Sequence, residues 1–120
     1  EQKISQADNY EQLFGEQVKR WLSEKRFLAP QLTIDDLAAE MGTNKLYMSR
    51  YINRKHGDNF STWITKLRLE EAKSYMRENP NVKQEEVAIH SGFSSSSYFS
   101  RVFSRFESMT PAAWRKEQNV

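Results

Sequence analysis

Arg50 and Arg101 stand fifty-one positions apart in a chain of 120 residues, each directly preceded by a serine. A guanidinium stays charged and presents its N–H donors as a planar fork. It can donate two parallel hydrogen bonds to guanine O6 and N7, hold a phosphate, or pair with a neighbouring carboxylate. Leu46, Ser49 and Asn53 surround the first arginine, and Ser96, Ser97 and Ser100 lead into the second. A leucine there either packs on a thymine methyl or is simply exposed, and an asparagine reaches adenine or a phosphate. Serine hydroxyls both donate and accept, so they discriminate poorly between bases. Lys45, Arg54 and Lys55, with the hydroxyls of Ser94 and Ser95, suit phosphate oxygens, which position a complex without specifying its sequence; solvation or helix capping is the plain alternative for each.

Other chemistries find little to work with. There is no cysteine, hence no disulfide framework and no thiolate metal site. His56, beside Gly57, fits a helix end as a cation or part of a cap, and His90 falls on a short helix before Gly92. Neither has a second His, Cys or carboxylate at ligand spacing, so no metal and no cofactor is expected. No Gly-rich phosphate loop, nucleophile elbow or carboxylate pair in an apolar run is present, and no enzyme is expected. Trp63, Trp114 and the pair Tyr98-Phe99 read as core rather than as a base-stacking platform, and RNA binding would more typically show aromatics on an exposed sheet. A helical protein-interaction module would need larger apolar side chains than Ser49, Ser97, Ser100 and Ser104 on its free faces.

Composition agrees with a small globular unit. Hydrophobic residues make up 38% of the chain, including seven Phe, five Tyr and three Trp, enough for a core. The net charge is only +2, but residues 45–77 hold eight Lys/Arg against three Asp/Glu, whereas residues 1–40 hold five against eight. That central excess attracts phosphate backbones, although a solvated helix face also produces it. No apolar run approaches the roughly 18 residues that span a membrane, no signal peptide is evident, and a cytoplasmic location without membrane contact is expected. The start at Glu1 rather than Met is read as that of an excised or processed piece.

The elements that must position the arginines are helices, and they are written twice. At an offset of 50, Leu37, Ala38 and Gly42 meet Val87, Ala88 and Gly92, and Asp35-Asp36 falls on Glu85-Glu86. At an offset of 51, Tyr47, Ser49, Arg50, Arg54 and Trp63 meet Tyr98, Ser100, Arg101, Arg105 and Trp114. Thr33 with Asp36 makes a capping box for a helix carrying Ile34, Leu37, Ala38 and Met41 on one face. Gly42 ends it in a left-handed cap, and Asn44 caps a second helix over 45–55. In the later copy, Gly92 and Ser94-Ser95 lead into a helix over 96–106. Each copy is a helix-turn-helix pattern.

At about 100° per residue, Met48, Tyr51, Ile52 and the stem of Lys55 share one face of the first such helix, opposite Leu46, Ser49, Arg50 and Asn53. In the second, Phe99, Val102, Phe103 and Phe106 form the apolar stripe, leaving Ser97, Ser100, Arg101 and Ser104 outward with Ser96 beside them. A linker helix over 60–78 carries Trp63, Ile64, Leu67, Leu69, Ala72, Tyr75 and Met76 and stops at Asn79-Pro80. Its length of about 28 Å approaches one turn of B-DNA, about 34 Å, so it suits two reading helices on successive major grooves. A leading helix is expected over 10–27, and Thr110-Pro111 opens a last one.

These residues closely resemble the AraC/XylS family of bacterial transcription regulators. The resemblance runs from Leu32 to Lys116 through Leu37-Ala38, Gly42, Ser49-Arg50, Gly57, Phe60, Leu67-Arg68-Leu69-Glu70-Glu71-Ala72, Val87-Ala88, Gly92-Phe93, the stretch Ser97-Tyr98-Phe99-Ser100-Arg101-Val102-Phe103, Thr110-Pro111 and Trp114-Arg115. Thr43-Asn44, Tyr47, Ser49 and Ile52-Asn53 look like the version carried at the C-terminal end of large sensor regulators. Gln84 departs from the family's usual aliphatic residue and Ser108 from its usual glycine, which puts the packing of the second lobe in question.

The resemblance implies an all-α fold of about seven helices, with two homeodomain-like helix-turn-helix lobes joined by the linker helix. The expected division is 1–31 lead-in, 32–58 first lobe, 59–80 linker, 81–117 second lobe and 118–120 tail. It implies sequence-specific binding of double-stranded DNA as the output domain of a transcription regulator. Leu46, Ser49 and Arg50, then Ser96, Ser97, Ser100 and Arg101, match the family's base-facing positions. Family members commonly activate transcription, which makes RNA polymerase a compatible second partner. The piece itself is expected to be monomeric, with any dimerisation left to regions outside it.

Overall fold

The computed structural model describes residues 6–118. The reading of Glu1 and the end of the 118–120 tail lie outside them. Among the described residues there are seven α-helices, one 3-10 turn and no strand. They are α1 (Gln6–Ser23), the turn Arg26–Leu28, α2 (Ile34–Glu40), α3 (Lys45–His56), α4 (Phe60–Glu78), α5 (Gln84–His90), α6 (Ser96–Glu107) and α7 (Pro111–Gln118). They fall into two compact units that divide within α4, the first ending at Thr65 and the second starting at Lys66.

In the first unit α1 supplies Phe14, Val18 and Trp21 to a core completed by Phe27, Leu37, Ala38, Met48, Tyr51, Ile52, Trp63 and Ile64. Phe14 meets Tyr51 edge-on at 5.7 Å, and Trp21 lies nearly parallel to Trp63 at 5.8 Å. The capping box holds as expected: Thr33 Oγ1 accepts from the Asp36 N–H, and the Asp36 carboxylate accepts from the Thr33 N–H. The Thr33 backbone N–H, and after it the Thr33 hydroxyl, favour the ionised form and keep the Asp36 carboxyl below its usual range. After α2 the Thr43 N–H reaches the Ala38 carbonyl and the Gly42 N–H that of Ala39, the paired bonds of a Schellman turn with Gly42 at φ 70°.

The second unit repeats that turn: Phe93 N–H bonds to Ala88 O and Gly92 N–H to Ile89 O, with Gly92 at φ 82°. Its core is Leu69, Ala72, Met76, Val87, Ala88, Phe93, Phe99, Val102, Phe103 and Trp114. Arg115 fastens α7 to the α4–α5 loop by donating to the carbonyls of Val82 (2.7 Å), Pro80 (2.6 Å) and Asn79 (3.3 Å). Thr110 Oγ1 accepts from the Ala113 N–H and caps the proline-led α7.

Several expectations need correction. The leading helix ends at Ser23, because Lys25 turns left-handed (φ 54°), and Phe27 enters the core from a separate 3-10 turn. Met41 caps α2 instead of extending it. The stem of Lys55 is not core: its side chain is half exposed, with the ammonium 3.3 Å from Glu11. Phe106 is 38% exposed, at the edge of a stripe that the Phe99 and Phe103 rings already fill. The two departures from the family pattern are accommodated. Gln84 donates its amide to Ser96 Oγ at 2.9 Å, and Ser108 adopts the left-handed backbone, φ 61°, that favours glycine.

Candidate nucleic-acid interface

The first candidate surface is the outer face of α3. Asn44 caps the helix by accepting from the Tyr47 N–H at 3.0 Å, and Gly57 closes it at φ 75°. Lys45, Leu46 (54% exposed), Tyr47, Arg50, Asn53 and Arg54 lie open to solvent, and Ser49 is half-buried among them. Neither Arg50 nor Arg54 makes an ion pair or hydrogen bond among the described residues, so both guanidinium forks are available. Asn53 is partly occupied, because its amide donates to the Ser49 carbonyl of the preceding turn at 3.0 Å. Lys55 is drawn toward α1 by Glu11.

The second surface is the outer face of α6. Ser95 accepts from the Tyr98 N–H at 3.0 Å and so is the helix cap, while Ser94 stands exposed before it. Ser97 and Arg101 are exposed and Ser100 half-buried. Ser96 is half-buried and tied to α5, since Gln84 donates to both its hydroxyl (2.9 Å) and its carbonyl (3.4 Å). The two faces therefore differ. The α3 face carries a large apolar side chain and an amide beside its arginine, whereas the α6 face is a row of hydroxyls.

Two residues escaped the sequence reading. Arg105 is exposed on the last turn of α6, at the repeat position of Arg54, and is equally suited to a phosphate. The repeat offset that aligns Arg54 with Arg105 was the signal for it. Tyr98, assigned to the core together with Phe99, is 43% exposed, and the Arg101 guanidinium lies 5.7 Å from its ring centroid. Phe99 itself is fully buried, because successive helical positions point about 100° apart.

Both histidines pack against aromatic rings. His56 ends α3, where its ring stacks on Trp63 at 4.7 Å and meets Tyr51 edge-on at 6.3 Å. Burial pushes its pKa below the ordinary value, the Lys55 charge adds to that, and Glu11 and Asp58 oppose it. His90 joins α5 to α4, with Nε2 2.8 Å from a Glu71 carboxylate oxygen and its ring flat on Tyr75 at 3.8 Å. On the far edge of α6, Lys73 bonds Glu107 at 2.8 Å and Glu70 at 3.1 Å. Burial disfavours its charge, but the two carboxylates outweigh that and raise its pKa. Among the described residues no three His, Cys, Asp or Glu side chains cluster to hold a metal, and no helix is long and apolar enough to cross a membrane.

A family model described as a helix-turn-helix domain matches residues 37–117. The chain is 32% identical over 91 residues to an uncharacterized transcriptional regulatory protein, YesN, of Bacillus subtilis (strain 168), covering 74% of this chain and 25% of the relative. It is 27% identical over 92 residues to the regulatory protein PocR of Salmonella typhimurium, covering 77% of this chain and 30% of the relative. The chain thus spans between a quarter and a third of the length of these relatives. Among solved structures, the DNA-binding domain of the global transcriptional factor AdpA, in complex with a target DNA, superposes with a TM-score of 0.74 at 25% identity, covering 88% of this chain and 91% of that one. The C-terminal domain of a two-component response regulator yesN from Fusobacterium nucleatum has the same fold, with a TM-score of 0.75 at 24% identity over 84% of this chain and 96% of that one.

Proposed function

The chain belongs to the AraC-type helix-turn-helix family of transcription regulators, and from that premise we propose that α3 and α6 are its two recognition helices, each entering a major groove of double-stranded DNA. The observation that carries this reading is the twofold occurrence of a capped helix whose outward face centres on an arginine that makes no ion pair among the described residues. Arg50 and Arg101 each donate two hydrogen bonds to a guanine, a contact worth about 1 to 3 kcal/mol of discrimination. Leu46 packs on a thymine methyl beside Arg50. Asn53 reaches a base or a phosphate by exchanging its bond to the Ser49 carbonyl. Ser49, Ser97 and Ser100 are small enough to let the helices approach the base edges, and Ser96 lies beside them at the start of α6.

Lys45, Arg54 and Lys55 hold phosphates around α3, with Lys55 leaving Glu11 to do so. Ser94, Ser95 and the amides at the start of α6 hold another phosphate, helped by the positive end of the helix dipole. The length of α4, about 28 Å, is close to one turn of B-DNA, about 34 Å, which supports successive major grooves as the targets of the two helices. The domain is accordingly the non-enzymatic output module of a larger bacterial sensor regulator and works in the cytoplasm. It binds as a monomer, and RNA polymerase is a compatible second partner for the whole protein.

Selection from a random duplex library, followed by fluorescence anisotropy across salt concentrations, tests the assignment. The expected result is two elements about 10 base pairs apart, with Arg50→Ala and Arg101→Ala each relaxing preference in one of them by about 1 to 3 kcal/mol. Equal binding to every sequence, vanishing at moderate salt, would reduce the surface to a phosphate patch.

A further inference from the structure

We propose that Tyr98 is a positioning residue that holds the Arg101 guanidinium ready for base contact. The inference rests on Arg101 reading a base and adds how that side chain is prepared. Residues three apart on a helix are surface neighbours, and Arg101 lies over the Tyr98 ring at 5.7 Å, within the range of about 6 Å for a cation–π contact. The ring is itself fixed. Its backbone N–H is bonded to the Ser95 hydroxyl, and it leans at 55° on Phe93 at 6.1 Å. Phe93 is buried and abuts the fully buried Phe99 at 5.2 Å. The platform is therefore anchored in the core of the second unit while 43% of Tyr98 remains exposed.

A ring is a better holder for a reading arginine than a carboxylate. A carboxylate would occupy the N–H donors and cancel the charge, whereas a π-face attracts the flat side of the guanidinium and leaves its edges free to donate. Arg101 makes no ion pair or hydrogen bond among the described residues. The Tyr98 contact therefore narrows the wandering of a long, flexible side chain without using the groups that would touch DNA, which lowers the entropy lost on binding.

The experiment measures binding of the full chain to its selected site and to duplexes substituted singly within it. The variants are Tyr98→Leu, Tyr98→Gln, Tyr98→Phe, Arg101→Ala and the double variant Tyr98→Leu/Arg101→Ala, with folding checked by thermal unfolding. Tyr98→Leu and Tyr98→Gln are expected to lose about 2- to 5-fold in discrimination, the size of an exposed cation–π contact. The loss should fall only at the base pairs whose preference Arg101→Ala relaxes. Tyr98→Phe keeps its ring and should keep its discrimination, and Tyr98→Leu should cost nothing further once Arg101 is absent. A uniform loss on every duplex, additivity with Arg101→Ala, or a Tyr98→Phe as impaired as Tyr98→Leu would overturn the positioning role, the last by pointing to the hydroxyl. If Arg101→Ala relaxes no preference at all, the base-reading role of Arg101 falls, and the positioning role with it.

Discussion

Arg50 and Arg101 occupy equivalent places in two copies of one motif, yet their surroundings differ. Arg101 stands over an anchored ring, while Leu46 and Asn53 flank Arg50 at positions that hold Ser97 and Ser104 in the second copy. His56 shows the same dependence on surroundings in a titratable group. Stacked on Trp63 with its Nε2 buried and without a hydrogen-bond partner among the described residues, it binds a proton less readily when folded than at its ordinary pKa of 6.5. A depressed folded pKa means that the unfolded chain takes up the proton first. The stability tied to this ring is then present above pH 6.5 and lost as pH falls from there through the lower folded value. Urea unfolding at pH 7.5 and 5.5, followed by tryptophan fluorescence, should show a smaller acid-induced loss in His56→Phe than in the parent. Equal losses in the two proteins would remove His56 as the cause.

The helices owe their limits to local chemistry, and most of those limits were legible in the residue order. Thr33, Asn44, Ser95 and Thr110 each accept from a backbone N–H three residues on, and Gly42 and Gly92 turn left-handed where the Schellman bonds form. A cap is a contest among residues three or four apart, so composition and spacing decide it. Ser108 is the instructive exception, a residue with a Cβ at the left-handed end of α6. Ser108→Gly should stabilise the second unit by about 0.5 to 1 kcal/mol, the relief of left-handed strain less the extra freedom glycine has when unfolded. Chemical denaturation measures this directly, and a variant no more stable than the parent would show that the serine is unstrained there.

The outward faces of α3 and α6 are unlike, so under the proposed function the target should be unlike at its two ends. An asymmetric pair of elements about one helical turn apart is the expected footprint of the monomer, and a palindromic footprint would contradict it. The charge pattern sets the rest of the binding behaviour. The basic excess of residues 45–77, with Arg54 and Arg105 making no ion pair among the described residues, is expected to add a sequence-independent attraction that weakens as salt rises. What the residue order determined by itself was the two helix-turn-helix units, their caps and turns, the length of α4 and the outward faces of α3 and α6. These follow from periodicity and from interactions spanning a few residues. Only the folded chain decided which polar groups on and near those faces are engaged. Glu11 draws Lys55 toward α1, Gln84 takes up Ser96, Glu71 and Tyr75 hold His90, and Trp63 covers His56. Tyr98 came out to the surface and Phe106 to the edge of the core. Most of these partners are far apart along the chain, and only packing of the hydrophobic core brings them within reach of one another.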